Sequence, residues 1–295
     1  MKKIIRKDHL YNIVRQVIPP IIFSALRKSP LYAYIRKFIS KLSEDKHVAS
    51  WHTIAAGELA GYELYVDSHG MFKEMIEGTY DTFFSDYLKK INLEGKTIID
   101  IGAHIGFDAL FFAKAVGEKG KVYAFEPNIT NKERLDLIVS RNLVLTRQVK
   151  TYPIAISNKK GIEEFIFSSV VDNGTSSGSF IEASSTFWDK NIYERDIGFK
   201  RTSVETIPLN EISELGITEL PALIKIDVEG AEYLVLEGGY ELIKKSQAIL
   251  LIEIHSIFNM FKVSEGLKRL NYSMDLLKLE SDGRCFISAV PDKKN

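Results

Sequence analysis

The chain has 295 residues, 45% of them apolar, and its 39 Lys and Arg residues balance its 39 Asp and Glu residues. This is enough apolar sequence for one sizeable core, while a net charge of zero provides no field to attract nucleic acid, so nucleic-acid binding is disfavoured. The single cysteine, Cys285, excludes an internal disulfide and fits a reducing cytoplasm. No stretch reaches the roughly 18 apolar residues of a membrane span, and the charged start lacks the apolar region of a signal peptide. A cytoplasmic protein is therefore expected.

The first 42 residues are basic and amphipathic, with Asp8 as their one acidic residue. Pro19, Pro20 and Pro30 divide this segment into short helices. We therefore predict a basic amphipathic helical extension over residues 1–50. Packing of this extension on the body of the protein, or on a second subunit of a homo-oligomer, is favoured over peripheral contact of residues 1–42 with the inner face of a membrane.

Residues 51–94 are predicted to form a short hairpin and a helix that lead into the core, because three glycines supply turns and a helical stretch runs over 83–90. From residue 97 onward, apolar strands alternate with helices, which predicts an α/β domain over 95–295 with a mostly parallel sheet covered on both faces. The predicted strands are 97–101, 121–126, 150–156, 162–167, 223–227 and 248–255, with an antiparallel pair at 272–279 and 285–289. The predicted helices are 107–116, 132–142, 231–244 and 264–270.

Residues 168–201 interrupt this alternation. They contain a turn-rich polar tract at 172–179, followed by Trp188 and Tyr193. A long insertion of this kind is usually a lid or a mobile loop. Because it should emerge near the ends of the strands, we favour a segment that covers the substrate.

The first predicted strand runs into a glycine-containing turn that is typical of a ligand site. An apolar run ends at Asp100, and Gly102 and Gly106 follow it at the start of a helix. The dinucleotide pattern would require a glycine at position 104, where this chain has His104, and this argues against a nucleotide-dependent oxidoreductase. S-adenosylmethionine has no phosphate and carries cationic groups, so a carboxylate beside the turn favours it as the ligand.

The second predicted strand ends in Glu126 and Pro127, and Glu126 lies 20 positions after Gly106. An acidic residue at this distance is placed to bind both ribose hydroxyls of an adenosine cofactor. The alternative is an acidic cap on the following helix. The turn and Glu126 together favour nucleoside binding.

A third group of polar residues follows the strand at 223–227. Lys225 and Asp227 alternate with apolar neighbours, so both side chains project from one face, with Asp227 at the carboxyl end of the sheet. A charged pair in a buried strand is costly unless it is paired or used, which indicates a functional role. Glu229 and Glu232 are predicted in the first turn of the next helix, where interaction with the helix dipole is the simpler explanation for Glu232.

The neighbouring strand ends in Glu253 and His255, which share a face. Two mechanisms remain open for this cluster. In the favoured one, His255 or Asp227 is the general base that takes a proton from an acceptor hydroxyl. In the other, Asp227, Glu229 and Glu253 hold a hard divalent ion such as Mg²⁺ that orients and acidifies the hydroxyl.

These segments resemble the FkbM family of S-adenosylmethionine-dependent methyltransferases over about residues 70–255. The most specific piece is KIDVEGAE at 225–232, and two positions depart from the usual pattern: His104 replaces a common asparagine, and Asn210 stands where an aspartate is frequent. The other matching segments are IIDIGAHIGF at 98–107, AFEPN at 124–128, AISNKKG at 155–161, VETIPLNEI at 204–212, IKIDVEGAEYLVLEGG at 224–239 and IEIH at 252–255.

The resemblance implies a Rossmann-like class I methyltransferase fold with a seven-stranded sheet. It also implies O-methylation of a sugar hydroxyl in a surface glycan or its precursor, or of a small natural product. Asp100 and Gly102 would hold the amino-acid end of S-adenosylmethionine and Glu126 its ribose. A membrane-docked scaffold with a degenerate cofactor site is the alternative from another class. The predicted cofactor residues are Asp100, Gly102, Ala103, His104, Gly106, Glu126 and Pro127, and the predicted catalytic residues are His255, Asp227, Lys225 and Glu229.

Overall fold

The computed structural model describes residues 48–168, 179–182, 199–281 and 283–292. Residues 1–47 of the predicted extension and most of the insertion at 168–201 lie outside these ranges, so the extension and the role of the insertion stay predictions, while Ser50 already belongs to a strand. Among the residues described, we find no helix whose length and apolar character would let it cross a bilayer.

The first described elements are a hairpin and two helices. Strands β1 (Ser50–Thr53) and β2 (Glu63–Val66) pair antiparallel, and α1 (Gly70–Glu77) and α2 (Thr82–Leu88) follow. The sequence predicted the hairpin and α2 but not α1. Apolar side chains of the hairpin and α1 form a cluster with Ile105, Phe107 and Leu110, so this region packs on the ligand-site turn and the helix after it.

The remaining elements alternate between strands and helices before an antiparallel end. In chain order they are β3 (Thr97–Ile101), α3 (Phe107–Val116), β4 (Lys121–Phe125), α4 (Ile129–Arg141), α5 (Leu143–Thr146), β5 (Val149–Tyr152), β6 (Ala155–Ser157), β7 (Gly161–Ser168), β8 (Phe180–Ile181), β9 (Phe199–Pro208), a 3₁₀ helix (Leu209–Leu215), β10 (Leu223–Ile226), α6 (Glu232–Ser246), β11 (Ile249–Ile254), α7 (Ile257–Arg269), β12 (Tyr272–Leu279) and β13 (Cys285–Pro291).

Seven strands form the main sheet in the order β12-β13-β11-β10-β3-β4-β5. β11, β10, β3, β4 and β5 run parallel, and β12 and β13 pair antiparallel at one edge. β3 and β10 are buried along their whole lengths, as central strands covered on both faces should be. The predicted mostly parallel seven-stranded α/β fold is confirmed. The chain leaves β3 toward β4 and β5 but returns to β10 and β11 on the other side, so the ligand crevice belongs at the carboxyl ends of β3 and β10.

A second, four-stranded sheet in the order β6-β9-β7-β8 was not predicted. The single strand expected over 150–156 is two strands in different sheets, because Pro153, which has no N–H to donate, separates β5 from β6. β7 pairs antiparallel with β9 instead of joining the main sheet. β9 covers part of the segment that the sequence analysis treated as insertion.

Candidate active site

The turn after β3 has the backbone that the glycine pattern predicts. Gly102 has a φ of +81°, and a Cβ atom there would lie 1.7 Å from the carbonyl oxygen of Asp227. Gly106 has a φ of +90°, and a Cβ atom there would lie 2.3 Å from Leu135 Cδ1. Both positions therefore require glycine. His104 also has a positive φ, +49°, and burial lowers the pKa of its ring to about 4, so the ring is neutral at pH 7.

Glu126 connects the turn to the start of α4. Its Oε2 accepts a hydrogen bond from the His104 N–H at 2.8 Å, and its Oε1 accepts one from the Asn128 N–H at 2.9 Å. Asn128, whose side chain accepts from the Thr130 N–H, is the N-cap of α4, so Glu126 is not the helix cap. Burial raises the pKa of Glu126 to about 7, although the hydrogen bonds from Asn128 and His104 oppose this shift.

A cavity opens at the carboxyl ends of β3, β4, β10 and β11. Of the predicted site residues and metal candidates, those that line it are Gly102, His104, Glu126, Pro127, Asp227, Glu229 and Glu253. Asp100, Ala103, Gly106, Lys225 and His255 lie behind this lining. Apolar side chains of the second sheet form a wall, among them Phe165, Phe180 and Ile181. Phe180 and Ile181 belong to the predicted insertion, so the described residues 179–181 of that insertion lie at the cavity.

Lys225 holds the turn and the carboxylates together beneath the cavity. Its Nζ donates to the carbonyl oxygen of Gly102 at 3.0 Å and lies 3.3 Å from Asp227 Oδ2 and 3.2 Å from Asp108 Oδ2. Asp100, which is fully buried and has no hydrogen-bond partner among the described residues, lies 3.6 Å away. Burial opposes the charge of Lys225, but the carboxylates of Asp227, Asp100 and Asp108 raise its pKa well above the usual range. Asp108 was not among the predicted site residues, although its position in the first turn of α3 was an available signal.

His255 is surrounded by carboxylates. Its Nδ1 is 2.7 Å from Glu232 Oε1, and its Nε2 is 3.3 Å from Glu229 Oε2 and 3.8 Å from both Asp227 Oδ1 and Glu253 Oε1. Burial lowers the pKa of His255, but the hydrogen bond with Glu232 and the charges of Glu229 and Asp227 outweigh it and raise this pKa to about 10. Burial raises the pKa of Glu253 to about 8.

The structure corrects the prediction that Glu229 and Glu232 share the first turn of a helix. Helix α6 begins at Glu232, and Glu229 precedes it with a φ of +52°, which directs its side chain toward the cavity. Glu232 is fully buried, and its Oε1 accepts from the Gly230 N–H at 2.8 Å as well as contacting His255. Its role is therefore to position the histidine, and interaction with the helix dipole is not a sufficient explanation.

Two further polar residues were either missed or questioned by the sequence analysis. Arg284 lines the cavity, and its Nη1 donates to Glu253 Oε1 at 2.7 Å. It lies at the start of the last strand, where no local pattern marks it as functional. Asn210, the departure from the family pattern, accepts a hydrogen bond from the Leu242 N–H at 2.9 Å and does not line the cavity.

The sequence model of the family described as "Methyltransferase FkbM domain" matches residues 100–274, which is more than half of the chain. The chain belongs to the FkbM methyltransferase family. This FkbM protein is an S-adenosylmethionine-dependent methyltransferase with a Rossmann-like class I fold. The matched range contains every predicted cofactor and catalytic residue, whereas Arg284 lies beyond it.

The FkbM methyltransferase is also similar to individual proteins. It is 28% identical over 189 residues to the hexuronic acid methyltransferase AglP of Haloferax volcanii, covering 64% of this chain and 68% of that protein. The solved structure of methyltransferase FkbM from Methylobacillus flagellatus matches with a TM-score of 0.46 and 14% identity over 74% of this chain; this chain spans about half, 52%, of that one. A SAM-dependent O-methyltransferase from Thermotoga maritima matches with a TM-score of 0.45 and 13% identity, covering 80% of this chain and 76% of that one.

The described residues of this FkbM methyltransferase fit S-adenosylmethionine. The missing side chain of Gly102 leaves backbone at the cavity wall, and Glu126 presents a carboxylate there. The neutral ring of His104 adds no positive charge beside a cationic ligand. The apolar wall from the second sheet can exclude water from a reacting methyl group.

Proposed function

We propose that this FkbM methyltransferase transfers a methyl group from S-adenosylmethionine to a hydroxyl of a sugar, in a surface glycan or its precursor. The observation that carries the proposal is the position of Asp227. It lines the cavity, and its backbone touches the glycine turn, so an acceptor bound at Asp227 lies beside the cofactor turn. The similarity to a hexuronic acid methyltransferase supports a sugar as the acceptor.

The cofactor is assigned to the side of the cavity formed by the turn and β4. Glu126 would accept a hydrogen bond from a ribose hydroxyl through Oε2, which uses one lone pair for the His104 N–H, whereas Oε1 already accepts from the Asn128 N–H and the Asn131 side chain. Gly102 and His104 would contact the amino-acid end, and Pro127 would lie under the nucleoside. Asp100, Ala103 and Gly106 are behind the lining, so we assign them to shaping the turn, with Asp100 acting through Lys225.

When bound, S-adenosylmethionine supplies a methyl group on a cationic sulfonium. In the transfer, the acceptor oxygen forms a bond to the methyl carbon, the carbon–sulfur bond breaks, and the hydroxyl proton passes to a carboxylate of the site. Asp227 is the base we assign, because it lines the cavity whereas the side chain of His255 is 2% exposed and lies behind it. Lys225 lies 3.3 Å from Oδ2 of Asp227, and Oδ1 lies 3.8 Å from His255 Nε2.

Arg284 supports an acidic sugar as the acceptor. It is the only Lys or Arg side chain found among the described residues that line this cavity, and a guanidinium has several donors, so it can bind a sugar carboxylate while it contacts Glu253. An acidic sugar also offers its carboxylate as a second methylation target, which would give an ester in place of an ether. Alkali cleaves a methyl ester and leaves a methyl ether intact, which separates the two products.

The test is incubation of the purified protein with labelled S-adenosylmethionine and a panel of acceptors: nucleotide sugars, uronic acids, neutral glycans and small natural products. We expect label in an acidic sugar, at least 100-fold less with Asp227→Asn, and no change with Glu265→Gln, an exposed acid on α7. Labelling of small natural products alone would support the natural-product alternative. A protein that does not bind S-adenosylmethionine in calorimetry would support the scaffold alternative.

A further inference from the structure

His255 has the environment of a metal ligand that a neighbouring carboxylate orients. Its side chain is 2% exposed, and its Nδ1 is held by Glu232, which is itself fully buried and fixed by the Gly230 N–H. The Nε2 atom is buried and has no hydrogen-bond partner among the residues that the structure describes. Metal-binding histidines almost always make such a bond through their other ring nitrogen, which fixes the tautomer and the direction of the ring.

The unpartnered nitrogen is aimed at two carboxylates on the floor of the cavity. One oxygen each from Asp227 and Glu229 and one nitrogen of His255 all lie within 4.8 Å of one another. Ligand atoms that bind one ion at about 2.0–2.3 Å are at most about 4.6 Å apart, so only a small adjustment separates this arrangement from a coordination site. Asp227 and Glu229 line the cavity, so the open positions of an ion there would face the acceptor.

The charges of the cluster also favour a bound cation. Four carboxylates, those of Asp227, Glu229, Glu232 and Glu253, lie within 4 Å of the imidazole. Carboxylates gathered this closely repel one another, and a divalent cation bound among them would offset that repulsion.

We propose that Asp227, Glu229 and His255 bind a divalent transition-metal cation of the Mn²⁺ type, with Glu232 orienting the histidine. A ligand set of one imidazole and two carboxylates suits such an ion better than Mg²⁺, which prefers oxygen ligands. With the ion bound, Asp227 would act as a ligand, and coordination would make the acceptor hydroxyl acidic enough to lose its proton to another carboxylate at the cavity or to solvent. This catalytic role rests on the proposed function, whereas binding of the ion does not.

The experiment is a titration of the metal-stripped full-length protein with Mn²⁺, in which electron paramagnetic resonance measures the free ion and no acceptor is needed. We expect one site per chain. Affinity should fall at least 100-fold in His255→Ala and Asp227→Asn, and 10- to 100-fold in Glu232→Gln, which leaves the ligands in place. Glu265→Gln on α7 should bind like the unaltered protein.

A spectroscopic measurement on the unaltered protein keeps the proposal testable if a variant does not fold. Electron spin echo measurements on bound Mn²⁺ should show coupling to the ¹⁴N nucleus of His255. Absence of this coupling, absence of a stoichiometric site, or equal affinity in the unaltered protein and Asp227→Asn would overturn the proposal. Mn²⁺ binding without methylation of any acceptor would overturn the proposed function and leave the metal site standing.

Discussion

Replacement of Gly102 by alanine tests the contact on which the geometry of the site depends. The substitution adds one methyl group at a residue with a φ of +81°, where that group would lie 1.7 Å from the Asp227 carbonyl oxygen. Gly216→Ala is the matched control, since Gly216 has a φ of +77° and nothing within 4 Å of its added Cβ. The two variants therefore share the backbone strain and differ in the clash.

The magnitude follows from the distances. Left-handed backbone costs alanine about 1–2 kcal/mol in either variant. At Gly102, the Cβ–oxygen distance must also grow from 1.7 Å to at least 3.0 Å, so the end of β10 must move by about 1.3 Å. This movement weakens the hydrogen bond that the Asp227 N–H donates to the Ile101 carbonyl oxygen, which is 3.0 Å long in the unaltered protein and worth about 1 kcal/mol. The added methyl group also introduces about 1–3 kcal/mol of overpacking strain. We expect Gly102→Ala to lose about 3–6 kcal/mol of unfolding free energy and Gly216→Ala about 1–2 kcal/mol.

The assay is chemical denaturation of both variants followed by circular dichroism, with S-adenosylmethionine binding measured by calorimetry on the folded protein. Gly102→Ala should also bind the cofactor at least 10-fold more weakly, because the displaced strand end carries Asp227 and borders the turn. If the two variants lose the same unfolding free energy within about 1 kcal/mol, the close approach of the turn to β10 is refuted.

Three other predictions test the charges around the cavity. In chemical denaturation, Lys225→Met should lose about 3–5 kcal/mol of unfolding free energy, because it leaves three buried or partly buried carboxylates without this cation. The control, Lys121→Met, removes an exposed ion pair with Glu219 and should lose less than about 1 kcal/mol. The affinity for S-adenosylmethionine should fall as the pH drops through about 7, by up to about 10-fold per pH unit, because protonation removes the ionised form of Glu126 that accepts from ribose hydroxyls. Glu126→Gln should bind the cofactor more weakly and without this pH dependence. Calorimetry at several pH values measures both affinities, and parallel pH curves for the unaltered protein and the variant would contradict the prediction. Arg284→Gln should reduce kcat/KM for an acidic sugar at least 10-fold while leaving that for its neutral analogue unchanged, and an equal loss for both would remove Arg284 from acceptor recognition.

The sequence predicted the backbone of the turn after β3 because its requirements are local. Gly102 and Gly106 are required by backbone conformation and close contacts that any chain with this turn must satisfy. Buried parallel strands need nearly continuous apolar runs, so a charge within one, such as Lys225, stands out from its neighbours. The positions of β3, β4 and β10 followed from the same signal.

The contacts of the proposed catalytic residues could not be predicted in the same way, because they depend on how distant segments are positioned. Glu232 and His255 are 23 residues apart and meet only because β10 and β11 are neighbours, which places the start of α6 beside the end of β11. Arg284 immediately precedes β13, whose antiparallel register against β11 sets Phe286 opposite Glu253. Of the second sheet, β7 was predicted as a strand of the main sheet, β6 and β8 are only three and two residues long, and β9 begins inside the segment treated as an insertion.

The side chain of Lys225 contacts both the turn after β3 and the carboxylates of the proposed catalytic side. Its ammonium group meets a carbonyl oxygen of the cofactor turn and three carboxylates that approach from different directions, at 3.0 to 3.6 Å. An ammonium is a compact charge with donors pointing in three directions, whereas the planar fork of arginine matches one carboxylate in its own plane. Because Lys225 contacts both Gly102 and Asp227, this buried residue helps to hold the distance between the turn after β3 and the proposed base. Methyl transfer requires this distance to be held closely, since a misplacement of about 1 Å costs roughly 100-fold in rate.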